Sequence, residues 1–448
     1  TAVLNKKGGA VAFFGTTRTV YANYNELINL GFSQYVLGST NGVRNTIGES
    51  VRMTKCDLVE FRKDVTPNKL QYTLLGDPAL VLAAPTQSIV IDNINGMPLN
   101  EASTVRLPAG SIAKVTGHVL NGQTLDEAFN GTITASVRDA EETIVCRLND
   151  ESEADVPFTF IDRTKTLYNG SDSIRNGTFT LTFAVPKDIS YTDGTGLMTL
   201  YAVNQAKTGT AHGENSNFIL NGSSTALNDS IGPSIYCYLN TKSFKSGNKV
   251  HTSPYFVAEL YDDNGINSSG SSIGHDLELI IDGDMSKTYN LNSYFNYEFG
   301  DYRSGSLGFS IPKLDYGHHK LLFRAWDVLN NSSTAELDFE VARGVEPDCI
   351  NVKCVRNSTT GATFIITHDR AGCELNVQLD IYDMAGRQLW RYTETGVPSG
   401  DTYTFDWDLS TDGGRRLQTG VYLFKVSISS DGSGQSSKTK KLMIMNNN

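Results

Sequence analysis

The residue types that could perform nucleophilic or metal chemistry are few and scattered. The 448 residues include six Cys and seven His. Cys349, Cys354, His368 and Cys373 form the densest group, and three Cys with one His is a ligand set that Zn²⁺ accepts. Their spacing falls on expected strands and loops rather than on a zinc knuckle. A Cys349–Cys354 disulfide or three separate core thiols is the simpler interpretation, so we expect no zinc site.

The remaining candidates for catalysis lack partners in the sequence. Cys56 lies in a helical pattern without a nearby His, which indicates a buried or half-buried thiol. The pair His318-His319 precedes the strand pattern KLLFRAWDV and is predicted to be a solvated turn. No H-E-x-x-H, G-x-S-x-G or Walker-type phosphate loop occurs in the sequence. Residues 87–448 therefore offer no recognisable catalytic constellation.

Loops rich in Asp and Asn are the only segments of the sequence from which we predict a cofactor. The segment YDDNGINSSG at 261–270 contains Asp262 and Asp263, and IDGD follows at 281–284. Carboxylate and amide oxygens of this kind can hold calcium, although the spacing of an EF-hand loop is absent. Asp262 and Asp263 are therefore calcium candidates, with ordinary β-turn chemistry as the alternative.

Charge and composition exclude some classes of protein. Thirty-eight Lys and Arg against 49 Asp and Glu give a net charge of −11, which argues against nucleic acid as a partner. A hydrophobic fraction of 39% suffices for folded cores, and the 41 Gly residues indicate many tight turns. The sequence contains no apolar run of about 18 residues, so it predicts no membrane-spanning helix. Because the sequence begins at Thr1 without an initiator Met or signal peptide, we expect a fragment or processed product.

The first residues differ from the rest of the chain. AVAFFG at 10–15 predicts a buried parallel strand, and NYNELINLGF predicts a helix that ends at Gly31. A second helix follows, with Thr46 and Glu49 as a capping box. The stretch YTLLGDPALVL at 72–82 is predicted to supply a turn and a last strand. Residues 1–86 are thus expected to form an α/β unit that is too short for a complete doubly wound sheet.

The remainder alternates with the period of β-strands. In TFTLTFAV, Phe179, Leu181, Phe183 and Val185 share one face, and similar patterns recur to the end of the chain. We predict three β-sandwich, immunoglobulin-like domains, over residues 87–228, 229–343 and 344–448. The predicted fold class is mixed, with an α/β unit followed by these sandwiches.

Two segments of the opening resemble a known family. Gly9, Val11, Ala12, Thr16 and Thr17 in GGAVAFFGTTRTVY, and Gly76 to Leu80 in YTLLGDPALVL, are similar to the C-terminal part of gingipain-type, caspase-like cysteine peptidases, family C25. The blocks GPSIYCYLN and HKLLFRAWDVLNNSS resemble segments that follow the peptidase domain in the type IX secretion sortases of that family. The end of the chain, DMAGRQLW to KTKKLMIM, is similar to the sorting-signal β-domain of type IX cargo.

The resemblance implies a Cys/His dyad in which a thiolate attacks a peptide carbonyl and His acts as the base. In the family both residues lie upstream of the G-x-V-A strand, so no catalytic residue is assigned in this chain and the segment alone is expected to be inactive. In the family, the loop after that strand helps to line the substrate pocket. The resemblance therefore implies four substrate-cleft candidates in this chain: Thr16, Thr17, Arg18 and Tyr21. The same resemblance implies a structural role for the family motif, which consists of Gly76, Asp77 and Pro78.

The sortase resemblance also implies a place and partners. The protein would remove C-terminal signals from secreted cargo and link the cargo to anionic lipopolysaccharide. Its expected partners are the outer-membrane β-barrel PorV, the signal domains of cargo, the lipopolysaccharide and the N-terminal part of the same protein. Its expected location is the outer-membrane-associated cell surface of Gram-negative Bacteroidota. Two alternatives stay open: a surface adhesin with a degenerate peptidase remnant, and a secreted C25 protease that is itself cargo.

Overall fold

The computed structural model describes residues 9–40, 42–99, 104–146, 156–270, 274–358, 361–398, 400–430 and 435–444. The chain divides at Pro85 into two compact units. Strands dominate these described residues, and the two α-helices found among them both lie in the first unit. This confirms the predicted mixed, β-rich class. In the described part of the chain, no helix has both the length and the apolar character needed to span a membrane.

The first unit combines two helices with a small sheet. Its elements are β1 (Ala12–Thr16), α1 (Ala22–Val36), β2 (Ser39–Thr40), β3 (Val43–Arg44), α2 (Ile47–Glu60), a 3₁₀ helix (Pro67–Gln71) and β4 (Tyr72–Gly76). Strand β1 pairs with β4, and β2 with β3. Ile28 of α1, Leu58 of α2 and Tyr72 of β4 form the buried core, with Phe14 of β1 packed against them. Sequence segments far apart in the chain therefore meet in one small core.

The sequence predictions for β1 and for the segment after β4 were wrong in detail. Strand β1 pairs antiparallel with β4, and Phe13 is 53% exposed because only one face of this pair packs on the helices. After Gly76 the chain forms a turn, and its next pairing is an isolated bridge between Val81 and Thr46. ALVLAA is therefore not a strand.

Gly31 does not end the first helix, as was predicted. Helix α1 continues through it to Val36. A Cβ at Gly31 would lie 2.9 Å from Cγ2 of Thr54 on α2. The glycine therefore permits the close approach of the two helices rather than stopping the first. The capping prediction for α2 is confirmed in part, since the Thr46 hydroxyl accepts from the Glu49 N–H at 3.1 Å while the Glu49 side chain pairs with Arg52.

The second unit begins with a nine-stranded sheet. Its order is β6-β5-β16-β15-β10-β13-β14-β8-β9, and β7 and β17 form a separate parallel pair. The strands are β5 (Gln87–Ile94), β6 (Met97–Pro98), β7 (Val105–Ala109), β8 (Ile112–Asn121), β9 (Thr124–Leu125), β10 (Gly131–Arg138), β11 (Glu142–Val145), β12 (Thr159–Asp162), β13 (Thr166–Arg175), β14 (Thr178–Ala184), β15 (Leu197–Asn204), β16 (Thr210–Asn215) and β17 (Phe218–Ser223). The predicted face of Phe179, Leu181, Phe183 and Val185 is buried.

Nine further strands form a four-stranded and a five-stranded sheet, ordered β18-β20-β24-β23 and β19-β26-β25-β21-β22. They are β18 (Ser234–Leu239), β19 (Lys249–Val250), β20 (Tyr255–Tyr261), β21 (Glu278–Ile281), β22 (Thr288–Asn290), β23 (Asn296–Glu298), β24 (Asp301–Ser310), β25 (Gly317–Trp326) and β26 (Ser332–Val341), with 3₁₀ helices at Met285–Lys287 and Asn292–Tyr294. His318 and His319 lie inside β25 rather than in a turn. The His319 Nδ1 is 2.8 Å from Asp282 Oδ2, a contact across the sheet that the sequence did not reveal.

The last strands form a three-stranded sheet, β27-β28-β31, and a four-stranded sheet, β30-β29-β32-β33. They are β27 (Cys349–Ser358), β28 (Gly361–His368), β29 (Leu375–Tyr382), β30 (Gln388–Gly396), β31 (Thr402–Trp407), β32 (Gly420–Ser430) and β33 (Gln435–Ile444). A hairpin turn around residues 384–387 joins β29 to β30. Lysines of β33 reach across to β27: Lys438 Nζ donates to the Cys349 carbonyl at 2.9 Å, and Lys440 Nζ to the Val352 carbonyl at 2.7 Å.

Buried apolar side chains of the second unit gather in three large clusters, within residues 89–220, 239–341 and 349–444. A small fourth cluster of Ala184, Val328 and Leu329 connects the first two segments. The domain boundaries near 228 and 343 stay predictions.

Candidate functional site

The substrate-cleft candidates lie on one loop of the first unit. Thr16 is the last residue of β1, and Tyr21 immediately precedes α1. Thr16, Thr17, Arg18 and Tyr21 are all exposed, and Tyr21 retains 67% of its accessible surface. The loop therefore presents two hydroxyls, a guanidinium and a phenol to solvent, which could contact a peptide by hydrogen bonds and by stacking.

Two distant residues hold the backbone of this loop. The Gln71 carbonyl accepts from the Thr17 N–H at 3.0 Å and from the Thr17 hydroxyl at 3.2 Å. Asn68 Oδ1 accepts from the Tyr21 N–H at 2.9 Å. Both partners belong to the 3₁₀ helix before β4, so the loop has a defined backbone although its side chains are exposed. Sequence reasoning missed Asn68 and Gln71, because no local pattern links them to residues about 50 positions earlier.

The motif Gly76, Asp77 and Pro78 forms a turn. Gly76 has φ +134, and a Cβ there would lie 2.8 Å from Cβ of Ala12. Asp77 Oδ1 accepts from the Ala79 N–H at 2.9 Å, which is the hydrogen bond of an Asx turn. Gly76 and Asp77 therefore shape the backbone of this turn.

The same turn covers the N-terminus of α2. The Pro78 carbonyl accepts from the Gly48 N–H at 2.9 Å, and the Leu80 carbonyl from the Ile47 N–H at 2.8 Å. The first N–H groups of a helix have no partner within the helix. The segment after β4 satisfies two of them, so it fixes the start of α2.

Strand register separates the motif from the loop. Gly76 pairs with Ala12, and Tyr72 pairs with Thr16, at opposite ends of the β1–β4 ladder. Four residues along a strand correspond to about 14 Å. The structure therefore does not bring the motif and the cleft candidates together.

The first unit contains no thiol–imidazole pair. Residues 1–85 include Cys56 but no His. Cys56 is exposed on α2, contrary to the prediction of a buried or half-buried thiol. The buried stripe of that helix runs through Ile47, Ser50, Thr54 and Leu58, and Cys56 lies off it. This exposure follows from helical geometry.

A thiol and an imidazole do approach each other in the second unit. Cys373 Sγ lies 3.8 Å from His251 Nδ1. Burial raises the pKa of the Cys373 thiol. Burial and the nearby Arg370 lower the pKa of His251 to about 3. Both groups are therefore neutral at pH 7, whereas a peptidase dyad requires a thiolate.

The group considered for zinc is dispersed. Along the β27–β28 ladder Cys349 pairs with His368 and Cys354 with Phe364, while Cys373 contacts His251. None of the six cysteines, all of which lie among the described residues, forms a disulfide. Separate thiols, one of the two interpretations made from the sequence, describe this region. Burial raises the pKa of Cys354 to about 11, as expected for a core thiol.

Asp262 belongs to a cluster of three carboxylates. One oxygen each from Asp229, Asp262 and Asp327 lies within 4.8 Å of the other two. Asp263 lies outside the cluster, where its Oδ1 accepts from the Tyr261 hydroxyl at 2.7 Å. The sequence missed Asp229 and Asp327, which come from segments far from Asp262 in the chain.

Backbone donors already serve the carboxylates of this cluster. Asp262 Oδ1 accepts from the N–H groups of Asn264 and Gly265 at 2.8 and 3.1 Å. Asp327 Oδ1 accepts from Leu329 and Asn331 at 2.9 and 2.7 Å. Burial nevertheless raises the pKa of Asp262 to about 6. Calcium at Asp262 stays a prediction.

A buried carboxylate joins two segments of the second unit. Asp188, 6% exposed, lies between β14 and β15. Its Oδ2 contacts Asn267 Nδ2 at 3.0 Å and His275 Nδ1 at 2.8 Å, and its Oδ1 accepts from Asn330 Nδ2 at 2.9 Å. The sequence gave no signal for Asp188, since its partners lie 79 to 142 residues away.

Comparison with known proteins gives a family match for the start of the chain. Residues 1–83 match the family model of Peptidase family C25. No match was found among curated proteins. The chain is thus a β-rich protein whose start carries the sequence of a cysteine peptidase family.

A solved structure gives a more particular relative. The chain is 31% identical to dimeric latent PorU from Porphyromonas gingivalis over 97% of its own length, with a TM-score of 0.41, and it spans 41% of the PorU chain. It is a PorU-like protein with C25-family sequence in its first 83 residues, which confirms the resemblance found in the motifs.

Other solved structures share less. The tetra-tandem repeat of a large adhesion protein is 14% identical, with 81% of this chain and 74% of that chain covered and a TM-score of 0.19. Chicken CNTN1 FN1-FN3 is 9% identical, with 81% and 99% covered and a TM-score of 0.18. These likenesses carry no argument about function.

Proposed function

We propose that the chain is the C-terminal portion of a cell-surface cysteine endopeptidase and transpeptidase of the sortase type. The observation that carries the proposal is the 31% identity to PorU over 97% of the chain, together with the C25 match at residues 1–83. The catalytic Cys and His would lie outside this chain. The absence of His from residues 1–85 supports that assignment, as does the neutral state of the Cys373–His251 pair.

The proposed reaction removes a C-terminal signal from secreted cargo. A thiolate attacks the peptide carbonyl and expels the amine of the signal segment, which leaves an acyl-enzyme. An amine on anionic lipopolysaccharide then attacks the thioester carbonyl and releases the thiol, so the cargo gains an amide bond. The proposed partners are cargo signal domains, anionic lipopolysaccharide, the outer-membrane β-barrel PorV and the N-terminal part of the same protein. The proposed location is the outer-membrane-associated surface of Gram-negative Bacteroidota.

The chain itself would contribute a wall of the substrate cleft. Thr16, Thr17, Arg18 and Tyr21 are exposed together, and the hydrogen bonds that Asn68 Oδ1 and the Gln71 carbonyl accept from Tyr21 and Thr17 fix the backbone of the loop. A preorganised loop loses less conformational entropy when substrate binds. The β-sandwich units would serve docking and orientation.

The test uses the longer protein that contains this chain. Its substrate is a reporter fused to a cargo signal domain, and the products are the cleaved reporter and, with an added amine, its amide. We expect Cys373→Ala and His251→Ala to retain cleavage, and replacement of the Cys or His in the upstream C25 segment to abolish it. Loss of cleavage in Cys373→Ala, with unchanged thermal unfolding, would move the nucleophile into this chain and contradict the proposal.

The second product, the amide of the reporter, distinguishes a sortase from a hydrolase. Amide formation that competes with hydrolysis supports transpeptidation. Hydrolysis alone, at any amine concentration, would leave a C25 peptidase and overturn the sortase part of the proposal.

A further inference from the structure

A polar cleft of about 570 Å³ lies between the segment 251–253 and the segment 370–374 of the second unit. We call it the Arg370 cleft. Its lining includes His251, Lys313, Arg343, Arg370 and Glu374. The proposed peptidase chemistry uses none of these residues, so the purpose of the cleft is a separate question.

Arg370 is the unusual member of the lining. Its side chain is fully buried, with 0% relative exposure. Nη1 pairs with the Asp369 carboxylate, and Nη2 donates to the Val345 carbonyl at 2.9 Å. Nε is buried and has no hydrogen-bond partner among the described residues. A buried guanidinium N–H without an acceptor is costly, so this donor suits an oxygen ligand.

His251 supplies a second donor of the same kind. Its Nδ1 accepts from the Ser253 N–H at 3.3 Å. Because burial holds the ring neutral, the proton must reside on the other nitrogen, Nε2. The Nε2 atom is buried and unpartnered in the described part of the chain. Two residues that line one cleft therefore each carry a buried donor without an acceptor.

The charges of the cleft favour an anion. Lys313, Arg343 and Arg370 line it, against one carboxylate, Glu374. Lys313 and Arg343 are exposed, and the Arg343 guanidinium lies 4.9 Å from the centre of the Tyr316 ring, which also lines the cleft. Even when Asp369 is counted as the partner of Arg370, the cleft keeps an excess of one positive charge. Cationic N–H donors that converge with neutral ones bind carboxylate and phosphate oxygens.

We propose that the Arg370 cleft binds a small oxyanion, a carboxylate or phosphate group, which accepts hydrogen bonds from Arg370 Nε–H and His251 Nε2–H while Lys313 and Arg343 attract it at the mouth. The anion satisfies both buried donors at once. The site is independent of the proposed peptidase reaction.

Isothermal titration of the full chain at constant ionic strength tests the proposal. Inorganic phosphate and acetate are the two probes, with chloride as the balancing salt. We expect saturable binding of at least one probe, and the probe that binds assigns the group as phosphate or carboxylate. His251→Leu should weaken binding at least tenfold, whereas His251→Gln, whose amide places a donor near Nε2, should restore most of it. No saturable binding of either probe would overturn the proposal.

Variants at exposed residues distinguish the loss of the binding site from misfolding of the chain. Arg343→Ser should weaken binding several-fold without a change in thermal unfolding. Lys245→Ser makes the same change of charge at an exposed residue outside the cleft lining and should have no effect. Equal binding by the Arg343→Ser and Lys245→Ser variants, or undiminished binding by folded His251→Leu, would contradict the assignment.

Discussion

Asp188→Ala is expected to destabilise the second unit strongly. The substitution removes the acceptor of three side-chain donors, from Asn267, His275 and Asn330, in a place where the carboxylate is 6% exposed. Each buried donor left without a partner costs about 1–3 kcal/mol, and water that enters the gap recovers a part of this. We therefore expect a loss of about 3–5 kcal/mol in the free energy of unfolding.

The measurement is urea-induced and thermal unfolding, followed by hydrogen exchange resolved along the chain. Because the three donors lie on segments that Asp188 ties to its own, faster exchange is expected together around 188–190, 265–268, 274–277 and 327–331. Asp188→Asn keeps one oxygen acceptor and should lose less stability than Asp188→Ala.

Asp193→Ala is the matched control. This carboxylate lies five residues further along, its side chain is 78% exposed, and it pairs with Arg106 at 3.3 Å. Exposed ion pairs contribute about 0–1 kcal/mol. If Asp188→Ala cost no more than Asp193→Ala, or if exchange rose only near residue 188, the carboxylate would not join the two segments and the reasoning would fail.

Three further outcomes are expected. Gly48→Ala should destabilise the first unit by about 1–3 kcal/mol in thermal unfolding, because the new Cβ would lie 2.7 Å from Cβ of Pro78 and 2.8 Å from its carbonyl oxygen. Asp262 has a folded-state pKa of about 6, above its ordinary value of 3.8. Between these two values the unfolded chain is ionised and the folded chain is not, so the fold loses stability as pH rises from about 4 to 6. Relative to the parent chain, Asp262→Asn should gain about 3 kcal/mol at pH 8 and nothing at about pH 3. In the same assay, a CaCl₂-induced rise in stability that occurs in the parent chain but not in Asp262→Asn would support calcium binding at Asp262. Equal unfolding curves in CaCl₂ and in EGTA would exclude it. In the longer protein, Arg18→Ala and Tyr21→Ala should each lower kcat/KM on signal-bearing substrate about tenfold; unchanged values would remove these residues from the cleft.

The β-sandwich strands were predictable because burial of one face imposes a period of two. Phe179, Leu181 and Phe183 were assigned to the core from this alternation alone, and all three are buried. The start of α2 was predictable for a local reason as well, since Thr46 caps a donor three residues away. Gly31 misled because glycine has two uses: it stops helices, and it lets them approach closely.

The candidate sites depend on contacts that local patterns do not encode. Asn68 holds the Tyr21 backbone across 47 residues of sequence. Asp229 and Asp327 belong to other segments of the sequence and lie beside Asp262 only in the folded chain. A motif could locate the loop at 16–21, but the residues that fix it belong to another part of the chain.

The lysines of β33 have a consequence for assembly. An outer strand normally offers free carbonyls to a strand from another molecule, which is a route to aggregation. The ammonium groups of Lys438 and Lys440 occupy the Cys349 and Val352 carbonyls of β27. An incoming strand would have to displace both charged donors before it could pair. We therefore expect the lysines of β33 to hinder edge-to-edge pairing at β27, a strand that lies about 90 residues earlier in the sequence.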